Sequence, residues 1–410
     1  MIIIPLFLML IMLFVRIQKG MFSALLLIVS TKSIMDVFWN IEVGPLSALA
    51  IQGAIFPVIF YKLFSKFKVL PTYWKNSAKL YLVALSLGLF WSIVMDPLIG
   101  LQDLVLNINI FLAFLILPSL ITSKKRFNQL LFAMMAAGLF PIIVSLYQFN
   151  TGVVFQERQT IGLTRYVGFY HDAFPVRFYG LMTLLAVLAY GHTNKIKKVI
   201  TKLGLIVLTI GALFSIYLVF SKAAVSILGL WIILMLLMSD SKIKQLFSIF
   251  FAIAIVFLIL GDTFSSNIEQ LFSKEVGYQS GEIKDARYTL AGRGYIWEDL
   301  WYFWSTEQTL FFQWFGDGIT RPTHNEFLRV LMASGIIGLF IFVVFVFRSM
   351  KHILKIKKNI RVFGFMLVGM YLVDCIGLVP GVYYYYNILL WGIFGLLLMR
   401  PQLFIKYKKV

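Results

Sequence analysis

Long apolar runs separated by short polar connections dominate the chain. They fall near 2–15, 22–39, 44–61, 80–96, 101–121, 129–148, 173–191, 203–220, 223–238, 245–261, 326–347, 362–379 and 383–399. A helix needs roughly 20 apolar residues to cross a hydrocarbon core, where every backbone N–H and C=O must be paired within the segment. The pattern therefore predicts an all-α, polytopic membrane bundle of about 12 or 13 spanning helices. The first run lacks a basic leader and is followed by Arg16 and Lys19, so it is expected to be a retained span, not a cleaved signal.

The connections alternate in character. Arg16 and Lys19, then Lys62, Lys66, Lys68, Lys75 and Lys79, then Lys124, Lys125 and Arg126, then Lys195, Lys197, Lys198 and Lys202, then Lys242 and Lys244, then Arg348 to Arg361, and finally Arg400, Lys406, Lys408 and Lys409 fall on one side if the helices alternate. Lysine and arginine concentrate in cytoplasmic loops, so that side is expected to be the cytoplasm, with the C-terminus inside. The other connections are acidic or neutral: Glu42, Asp96 to Asp103, a short segment near 149–172, a hairpin at Ser221-Lys222, a long segment over 262–324, and Asp374. Three regions follow: N-terminal transmembrane helices over 1–261, a large extracytoplasmic loop over 262–324, and C-terminal transmembrane helices with a basic tail over 325–410.

Composition excludes a soluble enzyme. The chain has 410 residues, 60% of them hydrophobic and only 13% charged, so little length remains for a domain outside the membrane. A net charge of +19 would suggest nucleic acid in a soluble protein. Here it sits in loops between spans, and no nucleic-acid partner is expected. A single cysteine, Cys375, excludes an internal disulfide and a cysteine-based zinc site. There is no Asp-x-Asp or Glu-x-Asp, no P-loop, no Gly-x-Ser-x-Gly and no His-Glu-x-x-His, so any chemistry is expected to be free of metal and cofactor.

The long loop carries its own pattern. Trp297, Trp301 and Trp304 recur at helical spacing, which predicts a helix lying against the membrane surface or the bundle. The loop then runs through Arg321-Pro-Thr-His324-Asn325-Glu326 directly into an apolar helix. Thr323 followed by Glu326 has the spacing of a capping box, which would put His324 in the first helical turn, where unpaired N–H groups favour an anion. The same spacing also suits a histidine that merely helps start a helix. Arg329 is three residues from Glu326, the spacing of an ion pair inside the bundle.

Other cations gather on the same side: Arg165, Arg177, Lys222, Arg287, Arg293 and Arg321, with no matching cluster of carboxylates evident in the sequence. Guanidinium forks bind phosphate bidentately, so these are candidate pyrophosphate ligands if folding gathers them; snorkelling to headgroups is the alternative. Of four histidines, His192 and His352 lie in lysine-rich loops. His171 and His324 remain as acid–base candidates, with Asp172 placed to orient either.

These marks resemble the O-antigen polymerase and ligase superfamily of bacterial envelope enzymes. The resemblance rests on His324-Asn325 followed by Gly335 and Gly338, on Ser221-Lys222 where the family has Ser-Arg, on Arg165, Gly168-Phe169 and His171-Asp172, and on Arg293 followed by Trp297. It implies a glycosyltransferase at the outer face of the bacterial cytoplasmic membrane. Such an enzyme takes a glycan from an undecaprenyl-pyrophosphate donor without metal or nucleotide, in the synthesis of O-antigen, capsule or exopolysaccharide. His324 and Asn325 would then be catalytic, and Arg165, Arg177, Lys222, Arg293 and Arg321 would hold pyrophosphate. A chain-length regulator and a flippase of the same pathway would be partners, beside membrane lipid. A ligase that gives the glycan to a final acceptor, and a transporter of lipid-linked glycan, remain open alternatives.

Overall fold

The computed structural model describes residues 15–43, 46–47, 72–97, 109–238 and 261–406, with a few isolated positions besides. Most of the expected spans 2–15, 44–61 and 245–261 and the start of 101–121 lie outside the described residues, as do Lys62, Lys66, Lys68, Asp103, Lys242, Lys244, Lys408 and Lys409.

The described chain is an all-α polytopic bundle. Its apolar helices are α1 (Met21–Met35), α2 (Thr72–Met95), α3 (Asn109–Leu120), α4 (Lys124–Thr151), α5 (Ala173–Thr193), α6 (Val199–Leu218) and α7 (Lys222–Met238). Four short helices follow: α8 (Asp262–Leu271), α9 (Ser273–Ser280), α10 (Arg293–Tyr302) and α11 (Leu310–Phe315). The chain then returns to the bundle through α12 (Glu326–Ile353), α13 (Lys358–Gly377) and α14 (Tyr384–Met399). Among the described residues seven segments are long and apolar enough to cross a membrane: α1 with its 3₁₀ extension, most of α2, and α4, α5, α6, α12 and α13. The remaining apolar helices, α3, α7 and α14, are shorter. The only strands among the described residues are two-residue pairs, Glu42–Val43 with Leu46–Ser47 and Gln159–Thr160 with Leu163–Thr164. Leu46–Ser47 of the first pair fall at the beginning of the expected 44–61 span.

Local chemistry sets the helix ends. Ser123 is extended and accepts from Arg126 N at 3.3 Å, opening α4, and Gly152 closes it in the left-handed conformation at φ 70°. One large apolar cluster dominates the core, with Trp391, Tyr371, Phe345 and Phe394 among its fully buried side chains. Within it α14 packs against α3, α12 against α2, α4 against α5 and α1, and α7 against α13.

Hydrogen bonds sort the connections into two ends. At the lysine-rich end Lys124 Nζ donates to Leu403 O at 2.5 Å, Arg400 Nε to Pro118 O at 3.0 Å, and Arg126 Nη1 to Leu120 O at 2.9 Å. These cations satisfy carbonyls at helix C-termini, where the helix dipole favours them. The loops before α5, between α6 and α7, over 261–325 and between α13 and α14 meet at the opposite end. Asp374 does not belong to a connection, as its place near the end of an apolar run suggested. It lies inside α13 and is fully buried.

The tryptophan-bearing loop helix rests on the bundle. Trp304 packs against Leu331 and Met332 of α12. α12 itself is broken at Gly335, whose φ of 66° and ψ of −172° interrupt the helix. A Cβ there would sit 2.3 Å from the Trp314 carbonyl, so only glycine admits the loop backbone at this point. Ala333 O, next to the break, accepts instead from Gly318 N at 3.0 Å.

Candidate functional site

Six segments meet at the His324 end: 165–172, the first turn of α5, the 219–221 turn, the start of α10, the entry to α12, and the end of α13. The 159–164 hairpin projects Arg165 across to the 219–221 turn, where its Nη2 donates to Phe220 O at 3.2 Å. Its Nη1 lies 4.0 Å from Asp172 Oδ1, and its buried Nε has no hydrogen-bond partner. Gly168 takes φ 64° and donates its N–H to Gln148 Oε1 at 2.7 Å, which ties the segment to α4. Phe155 stacks on Phe169 with centroids 4.2 Å apart.

Arg177 sits one turn into α5, beneath this surface, and is 3% exposed. Its Nη2 donates to Asp374 Oδ1, its Nη1 to Ser221 Oγ at 3.3 Å, and its buried Nε has no partner. Asp374 also accepts from Tyr386 OH at 2.9 Å. A buried guanidinium at this depth is tolerable because this carboxylate neutralises it.

Arg293 opens α10 and rests on the end of α13. Gly377 leaves room for it, since a Cβ there would meet Arg293 Nη1 at 2.7 Å. No hydrogen bond or ion pair engages Arg293 among the described residues. Burial pulls Arg165 and Arg293 below the ordinary guanidinium value; Asp172 opposes this, and neighbouring cations reinforce it. Three guanidiniums thus face two carboxylates, Asp172 and Asp374, which leaves the cluster short of negative charge.

His324 stands at its rim. The segment is fixed by Trp297, whose Nε1 donates to Thr323 O at 3.0 Å. The expected capping box from Thr323 does not form. Asn325 is the N-cap, its side chain accepting from Leu328 N at 3.0 Å, while Thr323 Oγ1 donates to Asn325 O at 2.8 Å. His324 therefore lies just before the helix, not in its first turn, in the left-handed conformation at φ 48°. Its imidazole is accessible. Partial burial lowers its pKa from the ordinary value and Arg293 lowers it further, with Asp172 opposing.

Glu326, freed from capping, turns inward. It pairs with Arg329 at 2.6 Å and accepts from Gly381 N at 3.2 Å, both side chains being buried. This (i, i+3) pair ties the start of α12 to the turn that follows α13. A Cβ at Gly381 would meet Glu326 Oε1 at 2.1 Å, so the turn needs a glycine there.

The other candidates are engaged elsewhere. Lys222 Nζ lies 2.6 Å from both oxygens of Glu275 and so holds α9 against the start of α7. Arg321 forms a fork with Asp317 at 3.0 and 2.6 Å and lies over the Phe303 ring. Arg287 pairs with Asp285 and Glu298 on the exposed loop surface. His171 packs edge-on against Trp39 at 4.6 Å, and Asp172 caps α5 through Ala173 N, so Asp172 hydrogen-bonds neither histidine. The structure therefore brings together Arg165, Arg177 and Arg293 with His324, and turns Lys222 and Arg321 to carboxylates.

Four of the cations do have matching carboxylates, contrary to the sequence reading: Asp374 and Glu275 reach Arg177 and Lys222 only on folding, while Asp317 and Asp285 lie within four residues of Arg321 and Arg287. Asp374 was the one most open to recognition, as a carboxylate near the end of an apolar run with a buried arginine to neutralise. A further ion pair, buried Lys32 with half-buried Asp36, lies in α1 and its extension, and Asp36 also accepts from Tyr179 OH. Among the described residues no group of three or more His, Cys, Asp or Glu is placed to hold a metal ion. The sequence matches no protein-family model and no curated protein.

Proposed function

We propose that this membrane protein is a glycosyltransferase that polymerises undecaprenyl-pyrophosphate-linked oligosaccharide repeat units at the outer face of the bacterial cytoplasmic membrane. The observation that carries the reading is the cluster of Arg165, Arg177 and Arg293 beside an accessible His324 whose pKa is lowered. Two of the three guanidiniums keep a buried Nε without a partner. An unsatisfied buried donor is costly, and a phosphate oxygen is the acceptor that guanidinium geometry suits best. The cluster sits at the end opposite the lysine-rich loops, which is the extracytoplasmic end if those loops obey the positive-inside rule.

In this reading the arginines hold the donor pyrophosphate and stabilise the charge that develops as it leaves. The acceptor hydroxyl, on the next lipid-linked repeat unit, attacks the anomeric carbon from the face opposite the pyrophosphate. The new carbon–oxygen bond forms as the bond to the phosphate oxygen breaks and its electron pair departs with undecaprenyl pyrophosphate. His324 takes the hydroxyl proton on its unprotonated ring nitrogen, a role that the lowered pKa suits near neutral pH. Asn325 caps the helix and so fixes where that imidazole stands.

The test is purified full-length protein in lipid nanodiscs supplied with a synthetic undecaprenyl-pyrophosphate oligosaccharide. A product ladder spaced by one repeat unit, with release of undecaprenyl pyrophosphate, is expected. A single transfer to a final acceptor would make the protein a ligase. Passage of intact substrate across the membrane without a new glycosidic bond would make it a transporter.

A further inference from the structure

The segment 310–318 reaches deep into the bundle. The first basic residue at the far end of α12 is Arg348, so the hydrocarbon stretch of that helix ends near Phe347. Counting back roughly 20 residues, the thickness of a bilayer core, places the other boundary near residue 328. The break at Gly335 then lies about 10 Å inside it at the helical rise per residue. Trp314 and Phe315 lie backbone to backbone against Gly335, and Gly316 against Ala333. Gly318 sits against Gly88 of α2, where an added Cβ would be 2.1 Å from the Gly88 carbonyl oxygen. The loop backbone is therefore at the same depth as the helix break.

Irregular backbone at that depth survives only if its polar groups are satisfied by protein. Here many of them are. Gly318 N donates to Ala333 O, and Gly316 N to Phe312 O at 2.7 Å. Gln313 Nε2 reaches the carbonyls of Trp304, Ser305 and Gln308, and Asp317 is neutralised by Arg321. What the segment turns outward is apolar: Leu310 is 70% exposed, Phe311 47% and Trp314 46%. This face continues the apolar surface of the neighbouring spanning helix α2, through Trp91, 5.4 Å from Phe311 and 5.3 Å from the exposed Phe90.

We propose that 310–318 is a re-entrant element inserted into the leaflet on the His324 side, with Leu310, Phe311 and Trp314 in contact with lipid acyl chains. Membrane lipid is the occupant because the patch is continuous with surface that faces the bilayer on α2, and because its outward side chains are apolar while its polar groups turn inward. The inference does not depend on the transferase reading.

Spin labels at Leu310→Cys and Trp314→Cys, in a Cys375→Ala background, test it in full-length protein in phosphatidylethanolamine–phosphatidylglycerol nanodiscs. Accessibility to oxygen is compared with accessibility to a water-soluble nickel chelate. Phe340→Cys gives the lipid reference, and Tyr278→Cys on α9 the aqueous one. The oxygen-to-nickel ratio at 310 and 314 should match that at 340 and exceed that at 278. A ratio equal to that at 278 would overturn the proposal, and so would low accessibility to both reagents, which would mean that protein covers the patch. Hydroxyl-radical footprinting of the unsubstituted protein guards against a misfolded variant. Trp314 and Phe311 should be protected while Tyr278 is oxidised, and equal oxidation would refute lipid contact.

Discussion

Gly377→Ala is the substitution that separates the placement of Arg293 from the stability of the fold. The added methyl would lie 2.7 Å from Arg293 Nη1. A relaxed contact needs about 3.5 Å, so the guanidinium must retreat by roughly 0.8 Å. The obstacle is the tip of a long side chain, so the backbone need not move. Alanine is also the better helix former, by up to about 1 kcal/mol in a helix interior. The substitution should therefore leave α13 intact while moving one of the proposed phosphate ligands. Displacements near 1 Å cost up to about 10²-fold in rate, so a loss of roughly 10- to 100-fold is expected. The assay is the initial rate of ladder formation in nanodiscs, with the thermal midpoint measured on the same sample. Gly229→Ala in α7 is the control, since an added Cβ there meets nothing within 4 Å. A wild-type rate for Gly377→Ala would refute the role given to Arg293, and a rate loss that tracks a falling midpoint would refute the claim that the effect is local.

Removing one member of a buried ion pair strands the other, at a cost of about 3–5 kcal/mol. Arg177→Met should accordingly lower the thermal midpoint in detergent, and adding Asp374→Leu should recover much of it. Breaking the Lys222–Glu275 contact with Glu275→Gln should loosen α9 from the bundle and speed limited proteolysis around Gly281, read by mass spectrometry of the fragments. The lowered pKa of His324 gives a pH dependence of definite sign. The imidazole stays unprotonated at pH 7, and the rate should fall on acidification with a midpoint below the ordinary histidine value of 6.5. A midpoint above 6.5 in a rate-against-pH profile would contradict the environment described for it.

The helices were legible because lipid imposes one rule on every span, and runs such as 129–148, 173–191 and 326–347 obey it with clear polar ends. The interior of the site was legible only in part. The marks at Arg165, Arg293 and His324 could be read from residue type and order, but the carboxylates that pair with Arg177 and Lys222 could not. Asp374 lies about 200 positions from Arg177, and Glu275 about 50 from Lys222, so nothing in the spacing pairs them. The capping box at Thr323 failed because His324 adopts a left-handed backbone that non-glycine residues seldom take, which shifts the cap to Asn325. The 310–315 helix is too short for periodicity to reveal, and its depth depends on glycines 88, 316, 318 and 335 meeting across three segments. No run of sequence carries that information.

In the proposed reaction His324 removes the proton from the attacking hydroxyl while the arginines hold the leaving pyrophosphate. The most direct measurement is the single-turnover rate of the first glycosidic bond for wild type and His324→Gln, with donor-lipid binding measured alongside. General-base help is worth about 10²–10⁴-fold. His324→Gln should bind donor as wild type does and form the bond at least about 10²-fold more slowly. Bond formation at near the wild-type rate would contradict it and leave His324 as a residue that only shapes the entry to α12.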